Sequence, residues 1–491
     1  MKRILSRGIP IKVFAVLACL ALLLLLLPML KAAQYDVPAA DDYSNGLPTY
    51  RAWVQTRAIG PVLKAAWDRV YDLYFGWQGT FSAIFLFTLN PMIFGEQYYQ
   101  IGPWLILTML LAGNFYLIFT VFGRLFNAPK AECCIIAAVW TILCTQFLPR
   151  ASQGIYWYTG AIYYTFFFGL SVAAIAVLLR FLLRKEGEKG AGRLIAVSLL
   201  FLIVGGGNLV TGLTTAVVLV SMEAFLLWKK RSDWKPMLIP VFCYMVSFGL
   251  NVAAPGNSAR QTYFAQPGLL EAVWLSFREA VLSLGKWFSI PVWALILALI
   301  PVLWRIAVHT KIRFEYPLLV TVYSICLTAV MFYPPIYAMT EHNLDHLGRI
   351  TNIIFFGMLF LAIFNLFYWI GWLIQKDSLS ERFFPAAGRG SYSMVFLLLM
   401  LMIFALGMTQ IKWYDTTSIS AFRSYRSTEM GNYWHTYKQR LEILKDPSVE
   451  DAVLKRFPYR PYVLFYMELS EYPEPNAPVA SWYEKNTVVI R

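Results

Sequence analysis

Apolar stretches long enough to cross a hydrocarbon layer recur along this chain, and no other feature constrains its fold as strongly. A bilayer core takes about 20 residues of helix, and the backbone polar groups inside it must be satisfied within the spanning structure. The expectation is an all-α polytopic integral membrane protein. Composition agrees: of 491 residues, 58% are hydrophobic, 17% aromatic and 14% charged, with a mean hydropathy of +0.55. That excludes an ordinary soluble domain.

About eleven transmembrane helices fit, near residues 13–30, 101–121, 133–148, 161–179, 194–207, 210–228, 237–252, 287–304, 316–332, 350–373 and 394–408. The formal charge of +14 is concentrated in short segments between these runs, so it sets orientation and does not point to nucleic acid. Lys2, Arg3, Arg7 and Lys12 then face the cytoplasm, as do Arg180, Arg184, Lys185, Lys189 and Arg193, and Lys229, Lys230, Arg231 and Lys235. The N-terminus is expected inside and the C-terminus outside. All six cysteines fall in apolar runs, which suggests neither a disulfide framework nor a thiolate metal site. The first run reads as an uncleaved anchor, because the residues after it make a poor signal-peptide cleavage site.

Residues 1–409 form the expected transmembrane domain, and its first outer loop, 31–100, carries membrane-surface helices. Tyr50–Phe75 mixes apolar side chains with Arg51, Arg57, Lys64 and Asp68, the pattern of an amphipathic surface helix with snorkelling cations. Phe81–Phe94 is apolar but short and broken by Asn90-Pro91, and reads as interfacial. Residues 410–491 are polar and aromatic-rich, a small C-terminal exoplasmic domain with helices expected over 428–445 and 448–457.

Once the spans are oriented, the polar clusters gather on one side, and a single shared outer cavity would explain them. Asp41 and Asp42 lie eleven and twelve positions beyond Leu30, where the first span ends; neighbouring carboxylates supply a general base when burial and like charge raise their basicity. A helix N-cap is the plainer alternative. Arg260 and Arg349 offer paired donors to a phosphate or diphosphate, against contact with lipid headgroups. Following Gln153, itself a substrate-binding candidate, Tyr156, Trp157, Tyr158 and Tyr163 beside Gly160 are suited to stacking on a sugar ring, against the interfacial aromatic belt as the default. Trp77, Gln78, Glu96, Asn208 and Asn257 complete the candidate substrate-binding set. His342 and His346, four residues apart, share a face of any helix there and offer two ligands to a divalent cation. With no third ligand in sequence, substrate hydrogen bonding or a buried polar pair is preferred, and no cofactor is otherwise called for. The run Gly205–Gly207 lacks the Lys and Ser/Thr of a phosphate loop and reads as a tight turn or close packing.

An acidic pair after the first span and before membrane-surface helices resembles the GT-C class of polytopic glycosyltransferases. More narrowly, Asp41-Asp42-Tyr43, Trp77-Gln78-Gly79, Tyr156-Trp157-Tyr158-Thr159-Gly160 with Tyr163, Ala254-Pro255-Gly256-Asn257 with Arg260, and the terminal Trp482–Asn486 resemble motifs of a bacterial glucosyltransferase-like branch. The resemblance implies a bacterial inner-membrane enzyme that takes a hexose such as glucose from a polyprenyl-phosphate carrier at the outer face. It further implies inverting transfer to a cell-envelope glycan or lipid-linked acceptor such as O-antigen, with Asp41 or Asp42 as base. Membrane lipids, donor and acceptor are the partners this implies. A lipid-linked glycan polymerase or ligase, or a non-enzymatic flippase or transporter, are the alternatives. The last is disfavoured because no internal repeat is visible and the polar groups gather at one surface.

Overall fold

The computed structural model describes residues 10–185, 188–264, 266–339, 344, 346–376 and 390–491. Among these, eight helices are long and apolar enough to cross a membrane, and each coincides with a span expected from the sequence. The chain is therefore a multi-pass, all-α membrane protein. The other three expected spans fall on shorter helices: Lys130–Gln146, Ala191–Gly205 and the apolar stretch Val395–Met408. Lys130–Gln146 is buried along most of its length, so it carries Thr141, Thr145 and Gln146 where a lipid-facing helix would carry leucine. Trp140 on it donates its indole N–H to the Phe356 carbonyl at 3.2 Å.

After the first helix (α1, Ile11–Ala32), two helices form a hairpin: α2, Asp41–Thr56, and α3, Ile59–Gly76. The expected surface helix over 50–75 is thus divided, because Arg57 adopts a left-handed conformation at φ 50° that ends α2. On α3, Val62, Ala66 and Val70 are buried at helical spacing while Trp67 and Tyr71 are exposed. α4, Phe81–Thr88, stops at Asn90-Pro91, where the Asn90 side chain accepts a hydrogen bond from Met92 N at 3.1 Å.

One helix has no counterpart in the span assignment: Leu269–Trp287, which packs against the span Pro317–Met339. Its interior carries Arg278 and Glu279, and it buries Ala272, Ser276, Glu279 and Ser283 while exposing Leu270, Trp274 and Val281. Those polar residues lower its hydropathy below that of a span, although its outer face is apolar.

The C-terminal residues pack on the same end of the bundle as Asp41. Helix Glu429–Lys445 forms where expected, but Asp451–Leu454, inside the second expected helix, is a strand. It pairs in parallel with Thr487–Ile490, register Asp451↔Thr487, and buries alternate residues Ala452 and Leu454. Four residues are too few for a two-residue period to stand out against helical spacing. Trp482 stacks on Tyr50 of α2 at 4.1 Å between ring centroids, and Glu96 makes an ion pair with Lys445 and accepts from the Tyr483 hydroxyl at 3.2 Å.

Candidate active site

The acidic pair divides at the first turn of α2. Asp42 is fully buried and saturated: Oδ2 accepts from Ala39 N at 3.0 Å and Tyr99 OH at 2.7 Å, and Oδ1 from Thr159 N at 3.0 Å and Thr159 Oγ1 at 2.7 Å. Burial pushes its carboxyl up to about 6, against the downward pull of these hydrogen bonds. Asp36 lies buried nearby. Its Oδ2 has no hydrogen-bond partner among the described residues, and burial, then the charge of Asp42, hold its carboxyl well above the usual range.

Asp41 points elsewhere. It is exposed, and it lines a cavity of about 440 Å³ together with Trp77, Gln78, Trp157, Tyr163, Tyr164, Arg69, Arg260 and Arg349. The surrounding protein thins the water around it, and this desolvation raises its carboxyl above the ordinary value, opposed by Arg349 and then Arg260. Ala40, just before it, adopts φ 47° and ψ −122°, a backbone region that suits glycine and costs an alanine about 1–3 kcal/mol. The strained turn is held from both sides, by Asp42 on Ala39 N and by the Trp157 indole, which donates to Ala39 O at 3.1 Å.

Two of the arginines are seated on tryptophans. The Arg260 guanidinium lies 5.4 Å from the Trp77 ring centroid and donates to Gln78 Oε1 at 3.2 Å. Arg349 lies 5.4 Å from the Trp157 ring, and Trp157 is backed by Tyr466 of the C-terminal region at 4.1 Å and 20°. A planar guanidinium held over an indole keeps its N–H fork oriented for an oxyanion.

Two motifs far apart in sequence meet to place Trp77 and Arg260. Asn257 accepts from Gly79 N at 3.0 Å across 178 residues, and its amide donates to Asn251 O at 2.6 Å. A Cβ on Gly79 would sit 2.0 Å from Asn251 O, and one on Gly256 would sit 2.6 Å from Trp77 N and Gln78 N. Only glycine permits this approach.

Beside the cavity runs an apolar groove of about 330 Å³ that shares Tyr163, Tyr164 and Arg260 with it and is otherwise lined by residues such as Leu213, Phe248, Tyr333 and Ala338. A further apolar pocket of about 230 Å³ adjoins through Val210 and continues between Phe168, Thr214, Leu327 and Phe360. Polar chamber, arginine and apolar trench follow one another in that order.

Of the residues singled out by sequence, Asp41, Trp77, Gln78, Trp157, Tyr163, Arg260 and Arg349 line the cavity. Others hold its walls. Asn208 caps the helix Leu209–Trp228 through Thr211 N at 2.8 Å and donates to Tyr163 O at 2.9 Å. Gln153 accepts from Arg349 N at 3.1 Å and donates to His346 O at 3.1 Å, fixing the start of the span Gly348–Gln375. Tyr158 is buried, with its hydroxyl on Leu86 O at 3.2 Å, and Glu96 ties down the C-terminal region. His342 lies outside the described residues, and among the described residues no group of three His, Cys, Asp or Glu side chains comes together as metal ligands.

Sequence reading missed Arg69, Tyr164, Tyr466 and the groove. For Arg69 a signal existed: it sits beside the apolar stripe of Val62, Ala66, Val70 and Leu73 on α3, where a cation has no reason to be unless it faces something polar. Compared with known proteins, the chain matches no family model, no curated protein and no solved structure.

Proposed function

We propose that this chain is a GT-C-like membrane glycosyltransferase that moves a sugar, a hexose such as glucose, from a polyprenyl-phosphate carrier to a cell-envelope glycan or lipid-linked acceptor at the outer face of the bacterial cytoplasmic membrane. The reading rests on one juxtaposition: a chamber holding Asp41, Arg260 and Arg349 lies beside an apolar groove and shares Arg260 with it. A lipid-linked phosphosugar has that same order of parts, an apolar tail, an anionic joint and a polar head.

In this mechanism Asp41 takes the proton of the acceptor hydroxyl. The oxygen attacks the anomeric carbon, the bond from that carbon to the phosphate oxygen breaks, and the phosphate leaves with the electron pair. Arg260, at the junction, neutralises the growing charge on the phosphate. Desolvation suits Asp41 to this work, since a carboxylate with raised basicity accepts a proton more readily near neutral pH. Trp77 and Trp157 keep the two guanidinium groups aimed. Asp42 serves as the fixed post from which α2 presents Asp41.

The test is transfer of labelled sugar from undecaprenyl-phosphate glucose in membranes containing Asp41→Asn or Asp42→Asn protein at matched abundance. Loss with Asp41→Asn supports the base. Full activity of Asp41→Asn with loss on Arg349→Gln would instead indicate a ligase or polymerase that needs the arginines alone.

A further inference from the structure

The chamber contains more positive charge than the carrier phosphate and Asp41 account for. Three arginines and one carboxylate line it. Arg260 stands at the groove and Arg349 over Trp157, and both act on the Asp41 carboxyl; Arg69 has no comparable influence on it. Its Nε is buried without a hydrogen-bond partner, and it makes no ion pair among the described residues. Burial lowers its pKa, with only Asp72, one turn on along the same helix, acting the other way. A guanidinium drawn into protein with its fork unoccupied fits an anion that arrives with a ligand.

The hairpin fixes where that anion lies. Arg69 on α3 and Asn45 on α2 are each twelve residues from Arg57, the hairpin turn, so they stand at the same level, and both line the chamber. Asp41 is one helical turn further along α2, about 6 Å at 1.5 Å per residue. Arg69 does not line the apolar groove. The subsite of Arg69, Ser44 and Asn45 is therefore on the side of the base and of the incoming hydroxyl, away from the carrier tail.

Building on the glycosyltransferase reading above, we infer that the acceptor is acidic: it carries a carboxylate or phosphate within one sugar ring of the hydroxyl that reacts, and Arg69 is the residue that selects it. Asn45 and Ser44 supply neutral hydrogen bonds to the same ring.

The experiment measures binding to full-length protein in nanodiscs of three probes: a disaccharide ending in glucuronic acid, its counterpart ending in glucose, and undecaprenyl phosphate. Wild type should prefer the acidic disaccharide. Arg69→Gln should weaken the acidic probe about tenfold, the scale of one charge-assisted hydrogen bond, and leave the neutral disaccharide and the lipid phosphate unchanged. Arg69→Lys, which keeps charge but not the fork, should fall between. Equal binding of both disaccharides by wild type overturns the inference, as does a preference that survives in Arg69→Gln. So does a tenfold loss of undecaprenyl phosphate in that variant, which would assign Arg69 to the carrier. Failure of the underlying reading looks different: wild type would not bind undecaprenyl phosphate, or Arg260→Gln would bind it as well as wild type.

Discussion

Two adjacent aspartates with opposite fates make the sharpest residue-scale forecast. Asp41→Asn should leave folding intact and lower transfer by about 10²–10⁴-fold, the usual worth of a positioned base. Asp42→Asn should instead lower the melting temperature. An amide placed where Oδ2 now accepts from Ala39 N–H and the buried Tyr99 hydroxyl leaves those donors unpaired, at a cost of about 1–3 kcal/mol, read by thermal unfolding in detergent. The pair was legible in sequence, but its division of labour was not. Which carboxylate is saturated depends on Thr159 and Tyr99, which sequence alone does not bring together with it. A pH profile adds a second check. Asp41 works as a base only above its pKa, so activity should rise with pH through that value. Arg349, the largest opposing influence, pulls that pKa down. Arg349→Gln should therefore shift the acid limb of the rate profile to higher pH; a limb that stays in place would show that Asp41 does not control it.

Among the elements, the interlock of the turn after α3 with the short helix Pro255–Gln261 decides whether the chamber has its Trp77 and Arg260 wall. Gly79→Ala would drive a Cβ against the Asn251 carbonyl and should cost about 3 kcal/mol or more, since backbone on both sides has nowhere to move. Gly60→Ala, where the added Cβ meets nothing within 4 Å, is the matched control and should unfold like wild type. Hydrophobic length and charge made the spans readable, because bilayer thickness dictates them directly. Leu269–Trp287 escaped because its buried face holds Ser276, Glu279 and Ser283, turned into the protein, where lipid would demand apolar residues. Arg69 escaped for a related reason: on a helix that reads as a surface helix a cation draws no notice, whereas this one lines the chamber.

For the molecule as a whole, the order of chamber, arginine and apolar trench predicts separable defects. Leu213→Trp, which fills the groove, should raise the apparent KM for a long-chain polyprenyl-phosphate sugar several-fold. It should have little effect on a short-chain water-soluble analogue, measured in the same membranes; equal effects on both would remove the groove from carrier binding. The trench could not be foreseen because its walls, near Leu213, Phe248 and Tyr333, come from separate spans whose neighbours the sequence does not name. Tyr466, behind Trp157, has a temporal corollary. Asp41 leaves the ribosome early and Tyr466 late, so the ring bracing Trp157 is installed only when translation is nearly over. A nascent or prematurely released polypeptide therefore carries Asp41 while Trp157 still lacks that brace, and on the proposed reading it should transfer no sugar until its last residues have packed.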